Sequence, residues 1–150
     1  MEFWRLYRRN RSAVFGMVIL LIVFFLAGSA ALFFPDDPFS LAGKPMSAPG
    51  ENGFSLGSDT LGRDVAAGIA HGARTSLMIC GLATAVAVLL GVMLGGLAGY
   101  FGGWIDDVLM RVTEIFQTIP SFIFAILIVA IIKPSINSII IAIAVVSWPA

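Results

Sequence analysis

Leu56–Leu77 reads LGSDTLGRDVAAGIAHGARTSL, an uncharged run continues to Leu97, and Ala98–Pro120 reads AGYFGGWIDDVLMRVTEIFQTIP. A turn-rich polar loop thus leads into an apolar segment, which gives way to a charged amphipathic segment and a proline. The 150-residue chain around it is 59% hydrophobic and 12% charged, with a mean hydropathy of +0.97. Soluble domains carry about 25% charged residues, so this composition belongs in lipid. Ala13–Phe34 holds 22 residues without a charge, and as a helix such a run is about 33 Å long against a hydrocarbon core of about 30 Å. Ser76–Leu97 is a second run of the same kind.

The formal net charge of zero hides an asymmetry. Arg5, Arg8, Arg9 and Arg11, against Glu2, precede the first run, and by the positive-inside rule that end stays in the cytoplasm. The competing reading is a secretory signal peptide, with Ala13–Leu26 as its apolar core and the small residues Ala27-Gly28-Ser29-Ala30-Ala31 as a cleavage site. The run continues through Leu32, Phe33 and Phe34 to spanning length, which favours an uncleaved first span. The one cysteine, Cys80, lies inside the second run, so one chain builds neither a disulfide framework nor a multi-cysteine metal site.

Pro35, Pro38, Pro45 and Pro49 with Gly43, Gly50, Gly53 and Gly57 break regular structure, so an exposed loop is expected there. Helix is expected to resume with Asp59 or Thr60 as the cap, forming an interfacial helix before the chain turns into the second span. Gly57–Asp64 has a superficial likeness to a phosphate-cradling loop, but Arg63 and Asp64 stand where lysine and a hydroxyl are required. Gly91, Gly95, Gly99 and Gly103 recur every four residues, a small-residue face suited to close helix packing.

Trp104–Ile119 is amphipathic, with Ile105, Val108, Leu109, Val112, Ile115, Phe116 and Ile119 on one face. Arg111 can pair with Asp107 or Glu114 on the other. The apolar stretch after Pro120, Ser121–Ile132, has 12 residues, about 18 Å as a helix and too short to cross a bilayer. The third span is therefore expected to start near Thr113 or Ile115, to kink at Pro120, and to carry Gln117, Thr118 and Glu114 into the membrane, facing protein or water. Lys133-Pro134-Ser135 ends it, and the apolar run to Ala150 is too short for a complete fourth span.

These motifs, in this order, resemble the membrane permeases of binding-protein-dependent ABC importers, specifically the second permease subunit of dipeptide, oligopeptide and nickel systems. The resemblance runs from the arginine-rich start, through the first span, the Gly62-Arg63-Asp64 loop and the glycine-laden second span, to the Asp106-Asp107/Arg111/Glu114 helix. The pattern departs at Phe54-Ser55, where the family has His-Pro. The resemblance implies an all-α membrane protein, the N-terminal part of a type I importer permease with three complete transmembrane helices and the start of a fourth. The organisation expected is a cytoplasmic basic tail at 1–12, a first span at 13–34, an external loop with an interfacial helix at 35–74, and the beginning of the permease core at 75–150.

The implied partners are a homologous second permease subunit, two cytoplasmic ATP-binding subunits that hold ATP and magnesium, an extracytoplasmic solute-binding protein and the bilayer of a prokaryotic inner membrane. No cofactor, metal or nucleic acid is expected on this chain, and no catalysis. Glu114, Gln117, Thr118 and Ser121 are candidates for the substrate path, and Arg63, Asp64 and Arg74 for the outer surface that meets the binding protein. A non-transporting membrane anchor is the alternative. An intramembrane enzyme is disfavoured, since His71 and Cys80 lie nine residues apart, on opposite sides of a helix.

Overall fold

The computed structural model describes residues 2–149. Six helices form among them: α1 (Glu2–Arg9), α2 (Arg11–Phe33), α3 (Val65–Phe101), α4 (Gly103–Thr118), α5 (Ser121–Ile132) and α6 (Ile136–Ser147). No strand forms among the described residues, only an isolated bridge between Ser58 and Asp64. The protein is all-helical, and the chain divides into two compact units between Leu77 and Met78.

In the first unit the basic start is itself helical. Asn10 separates α1 from α2 with an extended backbone, and its Oδ1 accepts the Ala13 N–H at 3.2 Å, satisfying one of the free donors of the first turn. α2 is 23 residues long and apolar enough to cross a membrane. Only Ala27 and Ala30 are buried along it, while Phe15, Leu21 and Phe25 stand outward, the disposition of a helix whose solvent is hydrocarbon.

The loop between α2 and α3 is ordered without being regular. Ala42 and Gly43 donate to the Gly62 carbonyl, Met46 to that of Asp59, and Ser58 to that of Ser47. The Ser58 hydroxyl donates to the Lys44 carbonyl at 2.7 Å and accepts the Ser47 N–H at 2.9 Å. Phe54 is buried at the centre, its ring against Gly43. Gly57 and Gly62 have φ of +83° and +78°, and a Cβ on either would strike a facing carbonyl, of Ser47 and Gly43 respectively. Only glycine fits both demands.

α3 differs from expectation at both ends. Its cap is Asp64, whose Oδ1 accepts the N–H groups of Ala66 (2.8 Å) and Ala67 (3.4 Å). Asp59, expected as the cap, instead closes a turn by accepting the N–H groups of Leu61 and Arg63. No break follows Arg74: the expected interfacial helix and second span are one helix of 37 residues, about 55 Å long. At the far end Gly102 and Gly103 take φ of +60° and +52°, which stops α3 at Phe101. Gly103, the expected fourth rung of the glycine face, therefore begins α4 instead.

In the second unit α4 and α5 meet at 87°, so the expected kinked span is a right-angled corner. Pro120 has no N–H and forces the residue before it out of the helical region, and Ile119 is accordingly extended (φ −82°, ψ 126°). Among the described residues two helices are long and apolar enough to span, three if the bent pair counts as one span. α5 and α6 pack as a hairpin through a turn in which Lys133 has φ of +90°. The Ser135 hydroxyl accepts the Ser138 N–H at 3.1 Å, and the buried Ser138 hydroxyl donates to the Lys133 carbonyl at 2.6 Å. Ser138→Ala leaves that carbonyl without its donor, so a loss of about 1–2 kcal/mol is expected in thermal unfolding of the purified chain in detergent.

Candidate functional site

The polar face of α4 converges on the corner at Ile119–Pro120. Arg111 and Glu114 form an ion pair at 3.0 Å with both side chains exposed, an arrangement that contributes about 0–1 kcal/mol. Asp107, the other partner offered by the sequence, makes no ion pair among the described residues. The Thr118 hydroxyl donates back to the Glu114 carbonyl at 2.8 Å, and the Thr113 hydroxyl to that of Leu109 at 2.9 Å. Glu114, Thr118 and Ser121 are exposed at or near the corner.

Gln117 has a different position from the other three. Its Nε2 donates to the Pro149 carbonyl at 2.8 Å, 32 residues away in sequence. The ring of Trp148 packs edge-on to that of Phe116, with centroids 5.4 Å apart, and the Trp148 carbonyl lies 3.1 Å from where a Cβ on Gly91 would stand. Gln117 therefore holds the end of the α6 segment against α4, beside a cavity of about 310 Å³ lined by Gly95, Ala98, Leu109, Thr113, Gln117 and Trp148. Sequence reasoning missed Trp148 and Pro149 because nothing in the local pattern ties them to residues 32 positions earlier.

The glycine face divides in the same unit. Gly91 is closely approached, whereas Cβ atoms on Gly95 and Gly99 would meet nothing within 4 Å among the described residues. Gly91→Leu is expected to destabilise the isolated chain by about 1–3 kcal/mol through overpacking, and Gly95→Leu to leave its melting temperature unchanged. Equal melting of both variants in detergent would contradict this division.

The outer candidates lie in the loop and on α3. Arg63 is half-buried, its guanidinium 5.7 Å from the centroid of the Phe39 ring, and its Nε has no hydrogen-bond partner among the described residues. Asp64 caps α3 and borders a cavity of about 330 Å³ that Asp36, Asp37, Asn52 and Phe54 also line. Arg74 is exposed two to three turns further along α3, so Arg63 and Asp64 share one local structure and Arg74 stands apart. His71, half-buried, places Nε2 2.9 Å from the carbonyl oxygen of Phe34. It thereby ties the end of α2 to α3.

The Asp59 carboxylate closes the turn before α3 by accepting two backbone N–H groups. It is held below the ordinary value of 3.8, chiefly by the Arg63 N–H, with the Leu61 N–H and the Arg63 charge adding to it. A lowered folded-state value stabilises the folded loop above pH 3.8, and the contribution is lost as pH falls through that lowered value. Amide exchange at Leu61 and Arg63, corrected for intrinsic rates, is expected to be flat down to the ordinary aspartate value and to accelerate below it. In Asp59→Ala the acceleration is expected at every pH.

Two family matches cover most of this architecture. Residues 1–49 match the N-terminal TM domain of oligopeptide transport permease C, and residues 87–150 match the binding-protein-dependent transport system inner membrane component. The chain belongs to the binding-protein-dependent ABC importer permease family. Membership makes it an integral inner-membrane protein, in keeping with α2 and α3, each long and apolar enough to cross a membrane.

Among its relatives, the di/tripeptide transport system permease protein DppC of Pseudomonas aeruginosa is 36% identical, over 99% of this chain and 51% of the relative. The dipeptide permease protein DppC of Haemophilus influenzae is 32% identical over 99% and 52%. The glutathione transport system permease protein GsiD of Pectobacterium atrosepticum is 33% identical over 99% and 50%. The chain spans about half the length of the curated relatives it matches.

Proposed function

We propose that this chain forms part of the translocation path of an ATP-driven importer for peptides. The substrate class rests on relatives named for dipeptide, di/tripeptide and glutathione transport. The path reading rests on the corner between α4 and α5. α5 starts at Ser121 without a side-chain cap, so the N–H groups of its first turn lack a side-chain acceptor. Broken helices persist at membrane depth only where protein or a water-filled cavity satisfies the freed groups. Polar Glu114, Thr118 and Ser121 beside such a break suit a wet pathway.

In this reading a solute-binding protein delivers substrate from outside, a homologous permease subunit completes the path, and two cytoplasmic subunits bind ATP and magnesium. Helix movement driven by ATP exposes the path alternately to the two sides. Arg63, Asp64 and Arg74 belong to the outer surface, with Asp64 and Arg63 acting through the loop they hold in shape. The N-terminus is cytoplasmic and the α2–α3 loop external. Leu41 and Asn137 are exposed, and cysteines at these two positions, in a Cys80→Ser background, are expected to label from outside intact cells. Labelling only after the membrane is opened would reverse the orientation.

The path role is tested with Glu114→Gln and Thr118→Val together, since neither touches the Gln117–Pro149 contact. In the assembled transporter the double variant is expected to lower peptide uptake at unchanged membrane levels, whereas Gln117→Leu is expected to lower the amount of folded subunit first. Normal uptake by the double variant at equal levels refutes a path-lining role for these two side chains.

A further inference from the structure

The eight residues of α1 immediately precede a membrane-spanning helix and carry a strongly divided surface. Positions 3, 4, 6 and 7 are Phe, Trp, Leu and Tyr, and positions 5, 8 and 9 are all Arg. At about 100° per residue the two sets occupy separate arcs of the helix. Trp4 and Tyr7 stack in parallel, with ring centroids 5.7 Å apart and planes 4° apart, while Trp4 remains 56% exposed. The Tyr7 hydroxyl donates to the Ala13 carbonyl at 2.7 Å, and Asn10 caps α2 between them. α1 is thereby fixed to the first turns of α2 rather than left to swing.

Among the described residues the arginines have no protein partner that explains them. Arg5, Arg8, Arg9 and Arg11 are exposed, and among the described residues none is in an ion pair. An isolated helix of this length is marginal in water, so a surface that takes both arcs at once would hold it. A guanidinium matches a phosphate oxygen pair by its planar fork, and indole and phenol rings favour the headgroup boundary. Basic amphipathic helices with aromatic apolar faces lie in that plane.

We propose that α1 is a membrane-surface anchor that binds anionic phospholipid headgroups in the leaflet at the N-terminal end of α2. Its aromatic arc enters the headgroup–acyl boundary, and its arginines bind phosphates on the other side. Each juxtamembrane arginine raises surface affinity roughly fivefold at moderate salt, so anchoring depends on lipid charge. By fixing α1 through Tyr7 and Asn10, the same contact sets the depth at which α2 enters.

The test uses the chain in lipid nanodiscs, which leave both faces open to solvent. With Trp104→Phe and Trp148→Phe, fluorescence reports Trp4 alone. Acrylamide quenching of Trp4 is expected to fall at least about twofold between neutral phosphatidylcholine discs and discs with about 30 mol % phosphatidylglycerol, and the difference to vanish in about 0.5 M NaCl. Arg5→Gln, Arg8→Gln and Arg9→Gln together are expected to abolish the lipid dependence while the chain still enters the discs through α2. Equal quenching in the two lipids, or protection retained by the glutamine variant, overturns the proposal and leaves the arginines to a soluble acidic partner.

Discussion

Backbone hydrogen bonding in a medium without water is the constraint on which this structure depends. A helix that stops in or near lipid releases carbonyl and amide groups that hydrocarbon cannot satisfy, so each interruption needs a nearby polar side chain. The interruptions here largely meet that demand. Asn10 and Asp64 cap the starts of α2 and α3, His71 reaches the Phe34 carbonyl at the end of α2, and Ser135 with Ser138 clasps the α5–α6 turn. The scarce polar residues of an apolar chain are concentrated where the helices break.

The corner at Ile119–Pro120 is the interruption with the least local provision. Pro120 creates it by geometry alone, α5 begins without a side-chain cap, and the amide of Gln117 is committed to Pro149. That imbalance gives the corner its functional interest, since water or a neighbouring subunit has to complete it. It also changes the meaning of the α4 polar face. A straight third span would drag that face into hydrocarbon, whereas a bend of 87° lets α4 and α5 occupy different environments.

Packing of small residues follows the same economy of contact. In lipid no hydrophobic drive separates helix from solvent, so close backbone approach and dispersion decide association. Gly91 has such an approach from Trp148, while Gly95 and Gly99 face open space among the described residues. The two kinds of glycine look identical in sequence and differ only in what stands opposite them. The α2–α3 loop shows the reverse case: Phe54, one aromatic among glycines, prolines and serines, organises a segment that composition alone marks as irregular.

The sequence by itself determined the membrane class, the extent of the first apolar helix, the break at Lys133–Ser135 and the permease family, because uncharged runs of spanning length and ordered motifs are properties of neighbouring residues. It also placed the polar face of α4 and the Arg111–Glu114 pair, which depend only on helical period. Tertiary structure alone decided that α3 runs unbroken from Val65 to Phe101, since nothing local shows whether a polar stretch bends or continues once Asp64 has capped it. It likewise decided that Gly103 leaves the glycine face, that Gln117 serves Pro149 and that Asp59 closes a turn. Each of these turns on a positive φ, a bond across 32 residues or a choice between two nearby carboxylates, and such choices are made by the partners that folding brings near.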